Sequence, residues 1–366
     1  MLKVALLHFG FTEYTIGLAN GLVDYADVTL IHPEKLSPVS KELADPRIHI
    51  RSFSKPSRSR YPGNLFSMMD MMRIIRQVEP DVLHVQETFD YWYDLTLLLN
   101  RMPPLVTTIH DVAPHPGDRD NTPGVEYTKR IAFYRSQQLI LHAQVLKDTL
   151  VQKFRIPQQR INVIPHGELG SLYRRMAGNV SLPREPYTLL FFGRIWPYKG
   201  LKYLIDAIPL VAQRIPEVKL IIAGKGENLN KYFPEGYNEK HYEILNDYIP
   251  NEAVAGLFQR SMVTVLPYIE SSQSGVAAIA YTTETLVITS NIGGLGEMVK
   301  NEQDGLLVPP GDVPALANAI IRLLSDHNLQ ARLRTAALAR SKEDLNWSKI
   351  ARQTIETYQK AIEKRK

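Results

Sequence analysis

Cysteine is absent from the 366 residues of this chain. This excludes disulfide bonds, thiolate nucleophiles and cysteine-ligated metal sites, and it suits a reducing cytoplasm. Long apolar runs are absent too, since none reaches the roughly 18 residues that a membrane-spanning helix needs. The first stretch, MLKVALLHFG, has one lysine and only a short apolar run. We therefore interpret it as a first strand rather than a signal peptide.

A strong excess of charge of one sign is also missing, because the formal net charge is only +5. An electrostatic partner must therefore be sought in local clusters. The densest is the basic segment 41–60, which carries Lys41, Arg47, Arg51, Lys55, Arg58 and Arg60 against Glu42 and Asp45. Such a segment either attracts an anionic surface or substrate or is simply a solvated loop. It holds one aromatic residue and no nucleic-acid-binding motif, so we predict no nucleic-acid partner.

Several catalytic motifs are missing from the sequence. It has no Walker loop, no H-E-x-x-H zinc motif and no G-x-S-x-G nucleophile elbow. The turn after the first predicted strand also lacks G-x-G-x-x-G, because the next glycine after Gly10 is Gly17. A nicotinamide-dependent oxidoreductase is therefore disfavoured.

Short β-branched runs alternate with helix-length amphipathic stretches, a pattern that predicts parallel α/β architecture. In the first half we predict strands at 3–8, 27–31, 47–51, 81–85, 105–109, 139–142 and 161–165, and helices at 12–24, 64–79, 124–137 and 143–154. In the second half we predict strands at 188–193, 219–224, 263–267, 286–290 and 305–309, and helices at 198–214, 251–260, 274–283, 312–325, 328–340 and 346–363.

The alternation lapses at 167–187, where three glycines and two prolines indicate a linker. It separates an N-terminal domain at 1–166 from a C-terminal domain at 188–345, and a long amphipathic segment follows at 346–366. The methionine run of the helix predicted at 64–79 either fills a core or touches a membrane, and core filling is the commoner use.

FFGRIWPYKG at 191–200 reads as a strand, a glycine turn and a helix start. Gly193 lets the backbone approach a ligand at the carboxyl end of the strand, where open α/β sheets bind their ligands. The fork of Arg194 and the point charge of Lys199 suit a pyrophosphate. Two solvated cations at a helix start are the alternative.

ESSQSG at 270–275 follows a later strand in the same way. Ser274, Gly275 and Val276 open a helix whose exposed amides can bind phosphate oxygens. Glu270 is a candidate acceptor for sugar hydroxyls, or it is only a charge near a helix N-terminus. In the first half, His110 ends a strand in TIHD and is either a sugar contact or a structural histidine.

FFGRIWPYKGL, IIAGKGE, PYIESSQSG, NIGGLGEMV and DGLLVPPGD resemble, in order and spacing, the motifs of retaining glycosyltransferase family 4. TIHD and VIPHG in the first half also match segments of that family. The resemblance implies the B-type glycosyltransferase fold: two Rossmann-like parallel-sheet α/β domains facing across a cleft. The C-terminal domain would bind the nucleotide sugar and the N-terminal domain the acceptor. The helix in 346–366 would cross back to the N-terminal domain.

The resemblance also implies roles for individual residues. Arg194 and Lys199 would hold the pyrophosphate, the amides of Gly275 and Val276 would complete that site, and Glu270 would bind a hydroxyl of the sugar. His110 would reach the transferred sugar, Gly10 would lie beside the pyrophosphate and acceptor, and Gly193 would form the turn. Because fixed cations and amides neutralise the leaving group, no metal or other cofactor is expected.

One departure from the family concerns its signature of two glutamates separated by seven residues, the second of which binds ribose. The eighth residue after Glu270 is Ala278, and no carboxylate occurs from 271 to 283. We expect the ribose contact to be lost or to come from Gln273 or Ser274.

The leading hypothesis is a retaining transfer of a hexose from a UDP- or GDP-sugar to a glycan, lipid-linked or polysaccharide acceptor. The alternative is a catalytically impaired subunit that binds nucleotide sugars. We expect a cytoplasmic protein, peripheral at the inner membrane if the basic segment binds an anionic leaflet or a lipid-pyrophosphate acceptor.

Overall fold

The computed structural model describes residues 1–35, 39–55, 62–88, 90–112, 125–178 and 180–365, without the side chains of 125–129. These residues form two compact units. The first runs up to Gly167 and also contains Asn346–Lys366, and the second comprises Glu168–Leu345.

The first unit is built on a parallel sheet, which has seven strands among the described residues. These are β1 (Leu2–Leu7), β2 (Ala26–Pro33), β3 (His49–Phe53), β4 (Val82–Gln86), β5 (Leu105–Thr108), β6 (Gln138–Leu141) and β7 (Ile161–Val163). Their order is β3-β2-β1-β4-β5-β6-β7. The central strands are buried on both faces, as expected when helices cover a parallel sheet.

The helices of the first unit are α1 (Thr12–Leu22), α2 (Asn64–Val78), α3 (Tyr91–Leu99), α4 (Val125–Arg135) and α5 (Gln144–Phe154). Four of them lie within two residues of the predicted bounds, but α3 was not predicted. Its aromatic run has no clear apolar stripe, and its start is instead fixed by Asp90, whose carboxylate accepts from the amides of Trp92 and Tyr93. The methionines of α2 differ in exposure. Three of them lie in the core, namely Met68, Met71 and Met72, whereas Met69 is exposed.

The second unit holds a parallel sheet of six strands within Glu168–Leu345. They are β8 (Thr188–Phe192), β9 (Lys219–Ala223), β10 (Tyr242–Leu245), β11 (Val263–Leu266), β12 (Leu286–Ser290) and β13 (Leu306–Val308), in the order β10-β9-β8-β11-β12-β13. Its helices are α6 (Gly170–Met176), α7 (Leu201–Ala212), α8 (Asn251–Arg260), α9 (Gly275–Thr282), α10 (Gly293–Met298), α11 (Val313–Ser325) and α12 (His327–Glu343). The predicted fold class of two parallel-sheet α/β domains is confirmed.

Three elements of the second unit were not predicted: the strand β10, the helix α6 and the six-residue helix α10. The edge strand β10 has only four residues, none of them fully buried, so it lacks the apolar signal of a central strand. The helix α6 lies in the stretch predicted to be a linker, and its seven residues GSLYRRM are too few to show a helical period. Contacts with α8 and α9 hold α6 in place, which a sequence window cannot reveal.

The last helix, α13 (Trp347–Glu363), packs on α1 within the first unit. Trp347 lies in a cradle of glycines: a Cβ added to Gly17 or Gly167 would come within 2.4 Å of its indole ring. A Cβ added to Gly21 would meet the Trp347 carbonyl oxygen at 2.5 Å. Further along the helix, the Tyr358 hydroxyl pairs with Nδ1 of buried His84 at 2.7 Å. The glycines are therefore required by packing against α13.

We expect Trp347→Ala to lower the free energy of unfolding of the first unit by about 2–4 kcal/mol, because it empties this cradle. Gly17→Ala should lower the free energy of unfolding because its methyl group clashes with the ring. The same substitution should lower it much less in a Trp347→Ala background. Urea titrations of the parent, the two single variants and the double variant would measure this difference. Arg352→Ala, at an exposed position of the same helix, is the control. Additive effects of the two substitutions would contradict this account.

Candidate functional site

The turn after β8 places Arg194 and Lys199 at the carboxyl edge of the second sheet. Gly193 has φ 119°, and a Cβ on Gly224, in the turn after the neighbouring β9, would meet the Gly193 carbonyl oxygen at 1.8 Å. Pro197–Lys199 then forms a short 3₁₀ helix that ends at Gly200. Gly224 thus lets the ends of the two adjacent strands meet, whereas a Cβ on Gly193 would contact nothing within 4 Å and its positive φ alone favours glycine there. The approach of the Gly193 backbone to a ligand stays a prediction.

A second turn, after β11, lies against this one. A Cβ on Gly200 would come within 1.9 Å of the Pro267 carbonyl oxygen, and the Ile269 amide donates to the Tyr198 carbonyl at 2.9 Å. The Lys199 Nζ sits 3.9 Å from the centroid of the Tyr268 ring, a cation–π contact. The structure therefore brings Lys199 to the segment that carries Glu270.

Arg194 is the more exposed of the two cations. Its guanidinium donates to the Tyr198 hydroxyl at 3.1 Å, which holds it beside Lys199 in the same turn. An exposed guanidinium fork and a half-buried ammonium on one turn provide two fixed positive charges for an anion.

The residues after Glu270 lead into the N-terminus of α9. Ser274 is the N-cap residue, but its side chain makes no capping hydrogen bond. Gly275 and Val276 form the first turn of the helix, where backbone amides have no intrahelical acceptor. An α-helix N-terminus with its partial positive charge is a ready anion site. The predicted residues of the second unit, from Gly193 to Val276, therefore come together at two adjoining turns.

Unsatisfied buried polar atoms concentrate at the same two turns. Among the described residues of the second unit, six buried side-chain nitrogen or oxygen atoms have no hydrogen-bond partner, and four of them belong to Trp196, Tyr268, Gln273 and Ser274. Each such atom costs about 1–3 kcal/mol, and most buried polar groups in proteins have partners. Their concentration indicates a place where a ligand completes the hydrogen bonding.

Helix α9 is anchored at its C-terminal end. Glu168 accepts from the Ser171 amide and from the hydroxyl of Thr282, the last residue of α9, each at 3.0 Å, which ties α6 to α9. At the same end, the Tyr281 hydroxyl donates to Asp304 at 2.8 Å, and Asp304 pairs with Arg340 at 2.6 Å. These contacts fix the direction in which the α9 N-terminus points.

Ala278, the eighth residue after Glu270, is completely buried in α9. Its neighbours Ala277, Ile279 and Ala280 are buried as well. A carboxylate at 278, 279 or 280 would be an uncompensated charge in an apolar helix face. Apolar side chains at these positions therefore suit the packing of this helix.

In the first unit, His110 follows the end of β5 and is completely buried. Phe11 stacks on its ring at a centroid distance of 3.8 Å. With the amide of Gln86 as oriented here, the His110 Nε2–H donates to Gln86 Oε1 at 3.0 Å. Its Nδ1 has no partner among the described residues and presents a lone pair. His110 can thus accept a hydrogen bond from a ligand hydroxyl.

Glu87 was missed by sequence reasoning although it positions His110. One carboxylate oxygen accepts from the backbone amides of His110 and Asp111 at 2.8 and 2.9 Å. The signal in the sequence was a carboxylate one residue beyond strand β4, which ends next to β5. The role of this carboxylate can be recognised only once the pairing of β4 with β5 is known.

Gly10 lies just beyond β1, and its carbonyl oxygen is 3.0 Å from Nδ1 of buried His8. The next residue, Phe11, adopts a left-handed conformation with φ 57°, an unusual one for a phenylalanine. That conformation presents the ring to His110. The structure therefore brings Gly10 and His110 to one edge of the first sheet, while the remaining predicted site residues belong to the second unit.

Three histidines surround the ring of Tyr14, with centroids 5.0–5.3 Å from it. Burial lowers the pKa of His142 to about 3 and that of His166 to about 4. Burial, followed by the neighbouring His142 and His166, also holds the pKa of His110 well below its usual value. All three rings are neutral at pH 7, which suits His110 as a hydrogen-bond acceptor.

These depressed pKa values predict acid sensitivity. A histidine that is neutral when folded but protonates near pH 6.5 when unfolded stabilises the fold fully above pH 6.5, and stability falls as the pH decreases towards the folded pKa. Between pH 6.5 and 5 we expect His142 and His166 each to cost about 2 kcal/mol of unfolding free energy. Urea titrations at several pH values would measure the slope, and His142→Gln should flatten it. A stability that is constant over this range would contradict the prediction.

Two family models match the chain, one in each half. "Glycosyl transferase 4-like" matches residues 3–143, and "Glycosyl transferases group 1" matches residues 186–326. Together they cover most of the sequence and include every predicted site residue.

Individual proteins agree with the two models. The chain is 26% identical over 301 residues to an uncharacterized glycosyltransferase of Methanocaldococcus jannaschii, covering 77% of this chain and 76% of that protein. It is 26% identical over 324 residues to the Escherichia coli UDP-Gal:α-D-GlcNAc-diphosphoundecaprenol α-1,3-galactosyltransferase, covering 82% and 80%. Among solved structures, Anabaena HepE in complex with UDP-glucose aligns with a TM-score of 0.72 at 19% identity, covering 98% of this chain and 99% of that one. The chain therefore belongs to the group 1, family 4-like glycosyltransferases, whose B-type fold it shares.

Proposed function

We propose that this glycosyltransferase moves a hexose, with retention of anomeric configuration, from a UDP- or GDP-sugar to a glycan, lipid-linked or polysaccharide acceptor. One observation carries the proposal. The turn with Arg194 and Lys199 lies directly against the turn that opens α9, so that two cations and a helix N-terminus converge. A diphosphate is the ligand that this combination of charges and amides favours.

The same groups account for catalysis. As the glycosidic bond of the nucleotide sugar breaks, negative charge builds on the leaving diphosphate. Arg194, Lys199 and the amides of Gly275 and Val276 stabilise that charge with fixed positive groups, which is electrostatic catalysis. The leaving phosphate oxygen then takes the proton of the attacking acceptor hydroxyl on the same face of the sugar. The proposal requires no metal ion.

The sugar and ribose ends of the donor have their own candidate contacts. Glu270 accepts hydrogen bonds from sugar hydroxyls, and the lone pair on His110 Nδ1 accepts another from the transferred hexose. Gly10 leaves room beside the pyrophosphate and the acceptor. Gln273 Oε1, a buried acceptor that lacks a partner among the described residues, replaces the absent glutamate at the ribose.

The relatives support a uridine nucleotide as the first donor to test. HepE was solved with UDP-glucose, and the E. coli relative is named for transfer from UDP-galactose. The second of these names also contains a lipid diphosphate acceptor, which supports a lipid-linked acceptor for this chain.

A binding subunit without catalysis is the alternative. The observation that favours it is Ala278, which replaces the ribose-binding glutamate of the family with a buried methyl group. Binding of a nucleotide sugar in a calorimeter, with neither hydrolysis nor transfer, would support this alternative.

The test is release of UDP or GDP from a panel of nucleotide sugars, with and without acceptors. We expect Arg194→Ala to lower kcat/KM by about 10²–10³-fold, because it removes one preorganised charge from the leaving group. Activity should persist in EDTA. The control is Arg214→Ala, an exposed arginine elsewhere in the second unit. No turnover with any nucleotide sugar, together with an Arg194→Ala protein that behaves like the parent, would refute the proposal.

The structure gives little support to the basic segment 41–60 as a membrane-binding site. Lys55 is completely buried, with its Nζ 2.9 Å from Asp90, and Arg47 pairs with Asp24 and Asp45. These two cations are therefore paired within the first unit, and Lys55 is neither solvated nor open to an anionic partner, the two alternatives that the sequence left for this segment. Arg58 and Arg60 lie outside the described residues.

An apolar surface on α2 and α3 gives better support for contact with a membrane. Its exposed side chains are Leu65, Phe66, Met69, Leu98 and Leu99, between 46% and 73% exposed. A groove of about 570 Å³ between the two helices is lined by several of them together with Arg73 and Arg76. Apolar side chains beside arginines suit an anionic lipid surface. No helix of the described chain is long and apolar enough to cross a bilayer.

We propose that this surface rests on an anionic inner leaflet. Phe66→Ser combined with Met69→Ser should weaken binding to phosphatidylglycerol vesicles by roughly tenfold, since two apolar side chains lose their burial. High salt should weaken binding of the parent protein. Leu210→Ser, which changes an exposed leucine of α7, is the matched control. Sedimentation that responds to neither anionic lipid nor salt would refute the proposal.

A further inference from the structure

Tyr268 carries a hydroxyl group whose presence packing alone does not explain. The side chain follows β11 and is completely buried. Its ring supports the Lys199 ammonium at 3.9 Å, a contact that phenylalanine would also make. The hydroxyl oxygen, however, has no hydrogen-bond partner among the described residues. Since an unpaired buried hydroxyl destabilises a fold, its presence requires another reason.

Ser274 shows the same property at the neighbouring helix start. A serine at an N-cap normally uses its oxygen to accept from an amide of the first turn. Here the side chain makes no such bond, although the residue is only 4% exposed. Its hydroxyl also lacks a partner among the described residues. Both the hydroxyl and the first amides of α9 therefore remain for a ligand.

The two hydroxyls belong to one site with the cations. The Tyr268 ring lies under Lys199, and the residue after it is hydrogen bonded to Tyr198, whose own hydroxyl accepts from Arg194. The Ser274 hydroxyl faces the Tyr268 phenol closely enough to lower its pKa as a hydrogen-bonding group does, although the two oxygens do not reach hydrogen-bond geometry, and the charge of Arg194 lowers that pKa as well. Cations, amides and hydroxyls converge here, and each of these groups can donate a hydrogen bond.

We propose that the hydroxyls of Tyr268 and Ser274 donate hydrogen bonds to diphosphate oxygens of the bound nucleotide sugar. This inference rests on the proposed function and adds Tyr268 to the residues that bind the donor substrate. Burial raises the pKa of Tyr268 to about 12, so the phenol keeps its proton at neutral pH. Because both oxygens are enclosed, the substrate reaches them when the turn at 271–274 shifts on binding.

The diphosphate is favoured over the ribose for a chemical reason. A ribose hydroxyl can donate or accept, so the Tyr268 and Ser274 hydroxyls alone would suit either ligand. The cations decide between them: Lys199 lies over the Tyr268 ring and the charge of Arg194 acts on the same phenol, so the hydroxyls sit where an anion is attracted. A diphosphate oxygen carries that charge and accepts the hydrogen bonds.

The experiment measures the affinity of the parent, Tyr268→Phe and Ser274→Ala for UDP and GDP by calorimetry, and the melting temperature of each protein without nucleotide. We expect either substitution to weaken binding of the preferred nucleotide about tenfold or more, as for a hydrogen bond to a charged group. The melting temperature without nucleotide should stay the same or rise, because an unsatisfied hydroxyl is removed. Tyr281→Phe is the matched control: its hydroxyl has a partner in Asp304, so this substitution should lower the melting temperature.

The outcomes separate this inference from the proposed function. If the parent binds UDP or GDP and both variants bind it equally well, the inference fails while the proposed function stands. If Tyr268→Phe lowers the melting temperature as Tyr281→Phe does, the hydroxyl is structural and the inference fails. If the parent binds neither nucleotide, the proposed function fails and the inference with it.

Discussion

The candidate site depends on one close backbone contact, that between Gly200 and the carbonyl of Pro267. It is possible only because residue 200 has no side chain, and the hydrogen bond from Ile269 to Tyr198 fixes its register. Through this contact the turn with Arg194 and Lys199 is held against the turn that opens α9. Diphosphate recognition requires charges and amides at fixed separations, and here two segments nearly 70 residues apart meet through main-chain atoms. Main-chain contacts of this kind hold Arg194 and Lys199 in place before the ligand arrives.

Much of the second-unit site could be predicted from the sequence, because the patterns that indicate its turns are local. The strand, glycine and cation pattern at 191–200 predicted the β8 turn that the structure has, while its ligand class stays a prediction. The helix start at 274–276 likewise followed from a serine and a glycine after an apolar strand. Buried parallel strands also have an unmistakable pattern, which is why the sheets were predicted within a few residues.

The parts that sequence reasoning missed depend on contacts between distant segments. Glu87 acts on His110 only because β4 pairs with β5, and no spacing along the chain reveals that pairing. The edge strand β10 and the short helix α6 are stabilised by their neighbours rather than by a pattern of their own. Lys55 looked like one of several solvated cations, but its pairing with Asp90 buries it completely. A charged side chain can be buried when an oppositely charged side chain is buried beside it, and here that partner, Asp90, lies 35 residues further along the chain.

If the second unit binds a nucleotide sugar as proposed, the lack of a carboxylate from 271 to 283 has an electrostatic consequence for the site. A second carboxylate near the α9 N-terminus would reduce the attraction of Arg194, Lys199 and the helix amides for a diphosphate, so its loss leaves the second-unit site more positive. Neutral groups then have to orient the nucleotide: an amide oxygen at Gln273 and hydroxyls at Tyr268 and Ser274. Neutral groups can be buried at far lower cost than a carboxylate, which fits an α9 whose residues from Ala277 to Tyr281 are all in the core. On the proposed function, the tightly packed α9, its uncapped N-terminus and the unsatisfied hydroxyls beside it would all belong to one way of holding the nucleotide.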